Sequence, residues 1–283
     1  MTINQKQLGS TDVMLPEIGL GTWKYRGGAE PLRHGVKLGA FLIDTAEMYR
    51  TEDVVGEAVR GMRDRVFIAT KVLGGHLRYD QVLEAAEKSL RLLGVDCIDL
   101  YQVHWPNSRV PISETMRAME RLVDTGQVRY IGVSNFSVGE MEEARAVMTK
   151  HPIVSNQVIY SLKRRGIERD VLPYCQRNRM TVLAYTPLAS GSLAPDSASA
   201  GRKTPGRATR LMGRNQGIET LQGIANETGK TPAQVALNWC VSHPGVIAIP
   251  KSNSLARTEE NCGASGWYLS SEQLDRLDHT FPV

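Results

Sequence analysis

The sequence predicts an α/β fold, a (β/α)8 TIM barrel with an N-terminal β-hairpin and extra C-terminal helices. Three observations lead there. Short apolar runs alternate with stretches of helical periodicity, the pattern of buried parallel strands wrapped by helices. Eight such alternations follow one another, as a closed barrel needs. The length, 283 residues, suits one such barrel, so residues 1–283 are expected to form a single domain.

The segment from Gln5 to Pro16 reads as a hairpin turning at Gly9 to Asp12. The first strand, Glu17 to Gly21, leads to a helix over Ala29 to Leu38. The second, Ala40 to Asp44, leads to a helix over Thr51 to Arg60, with Thr51 as cap and Glu52 as first-turn acid. The third, Arg65 to Lys71, precedes a helix over Tyr79 to Leu93, whose Val82, Leu83, Ala86, Leu90 and Leu93 fall at helical spacing before Gly94 ends it. The fourth, Cys97 to His104, is followed by a helix over Ile112 to Asp124 that stops before Gly126. The fifth, Val128 to Val133, is followed by a helix over Val138 to Met148, with Ser137 as its cap. Strand six is Ile153 to Val158 and strand seven Thr181 to Tyr185, with a helix from Glu168 to Arg177 between them.

The rhythm then breaks. Residues 189–215 are rich in Ser, Gly, Pro, Arg and Ala without periodicity, and a loop of that length in a compact domain is functional or disordered. Helices over Ile218 to Glu227 and Pro232 to Ser242 come next, the second opened by Thr231-Pro232. Strand eight is Val246 to Ile249, and helices over Ser254 to Cys262 and Ser271 to His279 close the chain.

Composition bounds the function. Hydrophobic residues at 41% and charged residues at 23% are those of a soluble globular protein. The apolar stretches fall short of the roughly 18 residues that span a bilayer, and the N-terminus lacks an apolar signal region, so a cytoplasmic location without a membrane partner is expected. A net charge of +4 without a concentrated basic stripe argues against nucleic acid. Cys97, Cys175, Cys240 and Cys262 are widely spaced and are expected to be buried, reduced thiols. The six histidines show no metal-ligand spacing, so no metal is expected.

Four ionisable residues close or follow consecutive strands: Asp44 with Tyr49 five positions on, Lys71 and His104. In a barrel, polar residues at strand C-termini converge on one mouth. A phenol holds its proton to about pH 10, and a neighbouring cation lowers that value. Lys71 can be that cation, Asp44 can fix it, and His104 can hydrogen-bond a carbonyl oxygen. The set suits protonation of a forming alkoxide, the acid half of a carbonyl reduction.

Further segments carry a resemblance. Gly19-Leu20-Gly21-Thr22-Trp23, Asp44-Thr45-Ala46 with Tyr49, Glu52 and Val55-Gly56, Ala69-Thr70-Lys71, and Val103-His104-Trp105-Pro106 come first. Ile131 to Phe136, Asn156-Gln157, Tyr185-Thr186-Pro187-Leu188 and Ile249-Pro250-Lys251-Ser252 follow, each at its expected strand end. Together they resemble the aldo-keto reductase family over essentially the full chain, as a short-loop, microbial-type member. The resemblance implies Asp44, Tyr49, Lys71 and His104 as catalytic, with Tyr49 the proton donor. It implies a nicotinamide amide held by Ser134, Asn135 and Gln157, with Tyr185 stacked on the ring. Gly21, Thr22, Trp23, Asp44, Thr186, Pro187, Leu188, Ile249 and Pro250 join the cofactor contacts. Lys251, Ser252, Asn253, Arg257, Glu260 and Asn261 match the adenosine-phosphate segment. Lys251 and Arg257 supply the charges for a 2′-phosphate, which favours NADPH over NADH, and Glu260 and Asn261 hold the adenine. Substrate would meet Trp23, Tyr49, His104 and Trp105, with Glu47, Met48 and Tyr25 as further candidates. The loop 189–215 is expected to be mobile and to cover the cofactor, although its Arg and Lys residues at 202, 203, 207, 210 and 214 also read as solvated loop charges.

The expected protein is therefore an NADPH-dependent reductase of small aldehydes, α-dicarbonyls and sugars, a monomer whose partner is a small carbonyl compound. The connection from Trp105 to Pro111 is short and the chain ends four residues past His279, so an open, unselective mouth is expected. Two rivals stand beside this reading. A nucleotide-sensing regulatory subunit would share the fold, but no N-terminal extension carries a partner motif. An unrelated barrel using Lys71 as a Schiff base would not need Tyr49 or the segment from Lys251 to Asn261.

Overall fold

The computed structural model describes residues 2–194 and 208–283, with backbone only for 208–215. The chain opens with a hairpin in which β1 (Gln5–Gln7) and β2 (Met14–Pro16) pair antiparallel, Gln5 facing Pro16. Its turn is closed by the Leu8 amide on the Val13 carbonyl at 2.8 Å, and Gly9 adopts φ 55° there. Leu8 and Leu15 are fully buried against Leu42, Phe67, Leu100, Val154, Leu183 and Ile247, so the hairpin plugs the lower end of the sheet that follows.

Among the described residues eight strands form one parallel sheet in chain order. They are β3 (Leu20–Gly21), β4 (Leu42–Asp44), β5 (Phe67–Val72), β6 (Ile98–Val103), β7 (Val128–Ser134), β8 (Ile153–Ile159), β9 (Thr181–Tyr185) and β10 (Val246–Ala248). The ends meet through bridges rather than a ladder: Ile18 pairs with Ala248 and Gly21 with Lys251. Three backbone bonds hold that seam, Gly19 N to Ala248 O at 2.8 Å, Ala248 N to Glu17 O at 2.9 Å and Gly21 N to Pro250 O at 3.0 Å. A Cβ on Gly21 would sit 2.7 Å from the Ile249 carbonyl, so this close approach requires glycine.

Helices cover the outside: α1 (Ala29–Lys37), α2 (Glu52–Val59), α3 (Tyr79–Leu93), α4 (Ile112–Asp124), α5 (Val138–Ala146), α6 (Val171–Arg177), α7 (Ala208–Thr228), α8 (Pro232–Ser242), α9 (Leu255–Cys262) and α10 (Ser271–Thr280). Ser137, Thr231 and Ser270 each close a capping box with a Glu or Gln three residues on. Among the described residues no helix is long and apolar enough to cross a membrane.

Several expectations need correction. α7 begins at Ala208 rather than Ile218, because Gly213 and Gly217 inside it mask its periodicity. The expected loop 189–215 is therefore shorter: Ala189–Gly191 is a 3-10 turn, and positions 195–207, with Arg202, Lys203 and Arg207, lie outside the described residues. The helix expected over Glu168 to Arg177 is split at Asp170, which leaves helical geometry to cap the Val171 amide at 2.6 Å. Thr51 precedes α2, but its side chain caps no amide there. Cys97, at the lower edge before β6, is partly exposed, whereas Cys175, Cys240 and Cys262 are buried; all four are free thiols.

Candidate active site

The strand C-termini deliver the four predicted residues to one point. Lys71, near the end of β5, is fully buried, which would be costly for a lone ammonium. Its three protons are matched: Nζ lies 2.9 and 2.8 Å from Asp44 Oδ1 and Oδ2, 2.8 Å from the Thr45 carbonyl and 3.5 Å from the Tyr49 hydroxyl. Burial alone would lower the Lys71 pKa, but Asp44 and Tyr49 outweigh it and hold the ammonium above its ordinary value. Asp44 closes β4, and Tyr49 sits on the 3-10 turn Glu47–Tyr49 after it. Burial pushes the Tyr49 phenol above its ordinary pKa; Lys71 pulls it down and Asp44 pushes it up. The expected net lowering is thus reversed here, because desolvation of the phenolate exceeds the attraction of a cation already shared with Asp44.

His104 follows β6 and stands edge-on to Tyr49, with ring centroids 5.4 Å apart. Burial, reinforced by Lys71, lowers its pKa to about 3, so its ring is neutral. Its Nδ1 is buried without a partner among the described residues. Trp23 lies 5.0 Å from Tyr49 and Trp105 6.5 Å from His104, both about half exposed.

Hydrogen bonds tie the tetrad to the next strands. Gln157 Nε2 donates to Asp44 Oδ1 at 2.7 Å, and Ser134 Oγ donates to the Gln157 carbonyl at 2.9 Å. Asn135 Nδ2 bonds Ser134 Oγ and the His104 carbonyl at 3.0 and 3.1 Å, and Tyr185 OH donates to Asn135 Oδ1 at 3.0 Å. Asn135 and Thr186 hold φ of 63° and 54°, turning the chain sharply at the rim.

These groups line an elongated cleft of about 960 Å³. Its floor and near wall include Gly21, Thr22, Trp23, Asp44, Tyr49, His104, Trp105, Ser134, Asn135, Gln157 and Tyr185 through Leu188. Its far end is lined by Ile249 to Asn253, Arg257, Glu260 and Asn261. Every predicted site residue except Lys71 lines the cleft, and Lys71 lies directly behind Asp44 and Tyr49. Arg257 Nη1 is 2.6 Å from Glu260 Oε2, so the two far-end residues form a pair. Ser254 caps α9 through the Arg257 amide.

Of the further substrate candidates, Met48 lines the cleft. Tyr25 is buried with its hydroxyl on the Gly28 carbonyl, and Glu47 accepts the Leu73 amide and pairs with His76. Ser190, Gly191 and Ala194, from the start of the segment expected to cover the cofactor, and Ser254, at the start of the helix beside the adenosine-phosphate segment, also line the cleft, whereas Lys24 and Ala233 line it without having been anticipated. Lys24 owes its place to a left-handed backbone, φ 54°, and Ala233 to the first turn of α8; neither has a signature in its own residue type. Among the described residues no cluster of His, Cys, Asp or Glu could hold a metal.

Known proteins resemble this chain along its length. Residues 17–280 match the aldo/keto reductase family. The chain is 39% identical over 284 residues to the methylglyoxal reductase YeaE of Escherichia coli, covering 97% of this chain and 94% of that protein. It is 34% identical over 272 residues to a glyoxal reductase of Bacillus subtilis, covering 94% and 89%. The crystal structure of an aldo-keto reductase from Klebsiella pneumoniae in complex with NADPH superposes with a TM-score of 0.85 at 37% identity, over 100% of this chain and 96% of that one. The buried Asp44–Lys71–Tyr49 device beneath a barrel mouth thus coincides with an end-to-end likeness, and the chain belongs to the aldo/keto reductase family of oxidoreductases.

Proposed function

We propose that the protein reduces small aldehydes, ketones and α-dicarbonyls to alcohols with NADPH, Tyr49 delivering the proton. The observation that carries this reading is Lys71, buried between the Asp44 carboxylate and the Tyr49 hydroxyl at the foot of a long cleft. The cleft's donor set fits the cofactor. Ser134, Asn135 and Gln157 match a carboxamide, Tyr185 offers a ring face held by its hydroxyl bond to Asn135, and Lys251 and Arg257 match a 2′-phosphate beside the start of α9. Glu260 and Asn261 border the adenine position, and Gly21, Thr22, Trp23 and the stretches Thr186–Leu188 and Ile249–Asn253 form the walls. The NADPH complex of the Klebsiella relative supports the same choice.

When bound, NADPH supplies the hydride that reaches the carbonyl carbon. The chain's own residues do the rest. Tyr49 hydrogen-bonds the carbonyl oxygen and transfers its phenolic proton as negative charge develops there. Lys71 stands beside the hydroxyl to stabilise the phenolate left behind, and Asp44 keeps that ammonium charged. Neutral His104 orients the oxygen by a hydrogen bond from the other side. Trp23, Met48 and Trp105 form a flat, half-exposed rim, which encloses a substrate poorly and favours breadth. The names of the Escherichia coli and Bacillus subtilis relatives point to dicarbonyls.

The test is NADPH oxidation followed across glyceraldehyde, methylglyoxal, a sugar and a bulky ketone. We expect kcat/KM values within roughly two orders of magnitude among the small activated carbonyls. Tyr49→Phe should retain NADPH binding and lose at least about a hundredfold in kcat. Near-normal turnover by Tyr49→Phe would remove Tyr49 as the acid, and a preference above about 10⁴-fold for one carbonyl would contradict the open mouth.

A further inference from the structure

Three buried threonine hydroxyls form a chain directly behind the proton-donating residues. Thr22 Oγ1 donates to the Asp44 carbonyl at 3.0 Å, Thr51 Oγ1 lies 3.0 Å from Thr22 Oγ1, and Thr45 Oγ1 lies 3.0 Å from Thr51 Oγ1. A carbonyl can only accept, so the Thr22 proton is committed to Asp44. Thr51 must then donate to Thr22, and Thr45 to Thr51. The direction of all three bonds is fixed, and Thr51 is the link that both gives and receives.

The segments joined by this chain carry the chemistry. Thr22 precedes Trp23 on the cleft wall. The Thr45 carbonyl accepts one of the three Lys71 protons at 2.8 Å. Thr51 lies two residues beyond Tyr49, and Arg50 between them is left-handed at φ 55°, a costly conformation for a residue with a side chain that persists where its surroundings enforce it. Thr51 stands at the start of α2 yet spends its hydroxyl inward rather than on a helix amide, as capping alone would require. We propose that Thr51 is a positioning residue that sets the Tyr49 hydroxyl and the Thr45 carbonyl at the correct distances from Lys71. It rests on Tyr49 as the proton donor and touches neither substrate nor cofactor.

The test compares Thr51→Val, which keeps shape and removes the hydroxyl, with Thr51→Ser, which keeps the hydroxyl, using methylglyoxal and NADPH. Thr51→Val should lower kcat by about ten- to a hundredfold, the scale of a sub-ångström to ångström misplacement, while KM and NADPH affinity move far less. Thr51→Ser should restore most of kcat. Thr45→Val leaves the link from Thr51 through Thr22 to Asp44 intact and should lower kcat by only about two- to tenfold, the worth of one hydrogen bond. A folded Thr51→Val with normal kcat, or equal losses in the Val and Ser variants, overturns the proposal. If Thr51→Val does not fold, Thr45→Val decides, and an unchanged kcat there overturns it. Tyr49→Phe measured alongside separates the two readings: an active Tyr49→Phe defeats the proposed acid, whereas an inactive Tyr49→Phe with a normal Thr51→Val defeats this inference alone.

Discussion

At the scale of single residues, the site works by making each charge depend on a named neighbour. Lys71 is tolerable in the interior because Asp44 and two oxygens take its protons, and a buried ammonium left by Asp44→Ala would have no such match. Arg257 stands at the far end, where its guanidinium is oriented by Glu260. Since NADPH and NADH differ only by the 2′-phosphate, Arg257→Gln should weaken NADPH by about ten- to a hundredfold and leave NADH nearly unchanged. Titration of each cofactor by tryptophan fluorescence checks this, and equal losses would reassign the phosphate to other residues. His104 makes a different prediction. Its folded pKa of about 3 lies below the ordinary 6.5, so as pH falls through 6.5 the unfolded chain takes up a proton that the folded chain refuses. Stability is therefore lost between pH 6.5 and about 3 and is unaffected above that window. Thermal or urea unfolding of His104→Gln should show a smaller acid loss than the parent, by about 3 kcal/mol at pH 4. Parallel pH profiles for the two proteins would contradict it.

At the scale of elements, α2 shows how packing is written in a residue that carries no side chain. A Cβ at Gly56 would lie 2.7 Å from both the Leu92 and Leu93 carbonyls, so α2 rests on the end of α3 through bare backbone. Gly139, in α5, meets nothing within 4 Å. Gly56→Ala should cost about 1–3 kcal/mol by overpacking, and Gly139→Ala should add up to about 1 kcal/mol from helix propensity. Urea denaturation of both variants decides, and a gain in Gly56→Ala would show the contact to be slack. The same contrast explains what the sequence made legible. α3, α4 and α8 were readable to the residue because their apolar spacing and their Gly94, Gly126 and Thr231-Pro232 signals agree. Asp44, Lys71 and His104 were readable because each closes or follows an apolar run, and Tyr49 because it stands five positions after Asp44. The start of α7 was hidden by its glycines. Lys24 and Ala233 were hidden because a left-handed turn and a helix N-terminus bring them to the cleft, and no local pattern encodes that distance. The inward role of Thr51 was masked by a residue type that serves equally well as a cap.

At the scale of the whole molecule, the barrel is a ring with a weak joint. Neighbouring strands β5 to β9 share ladders of four or five paired residues, whereas the first and last strands meet through two bridges and three backbone bonds. Gly21 stands on one side of that joint, Ile249, Pro250 and Lys251 on the other, and both sides line the cleft. A dinucleotide lying across them would act as a clasp, and its binding free energy would oppose opening of the ring. Bound at a hundred times its dissociation constant, it adds about 2.7 kcal/mol. That protection should appear locally, as slowed deuterium uptake at the Gly19, Gly21 and Ala248 amides, and far less at Ile68 or Leu100 in the continuous part of the sheet. Uniform slowing across the sheet would mean that the ring opens as one unit. Local slowing would mean that the unliganded protein breathes at its seam, so that the cofactor meets a cylinder still able to unzip and its arrival completes the circle.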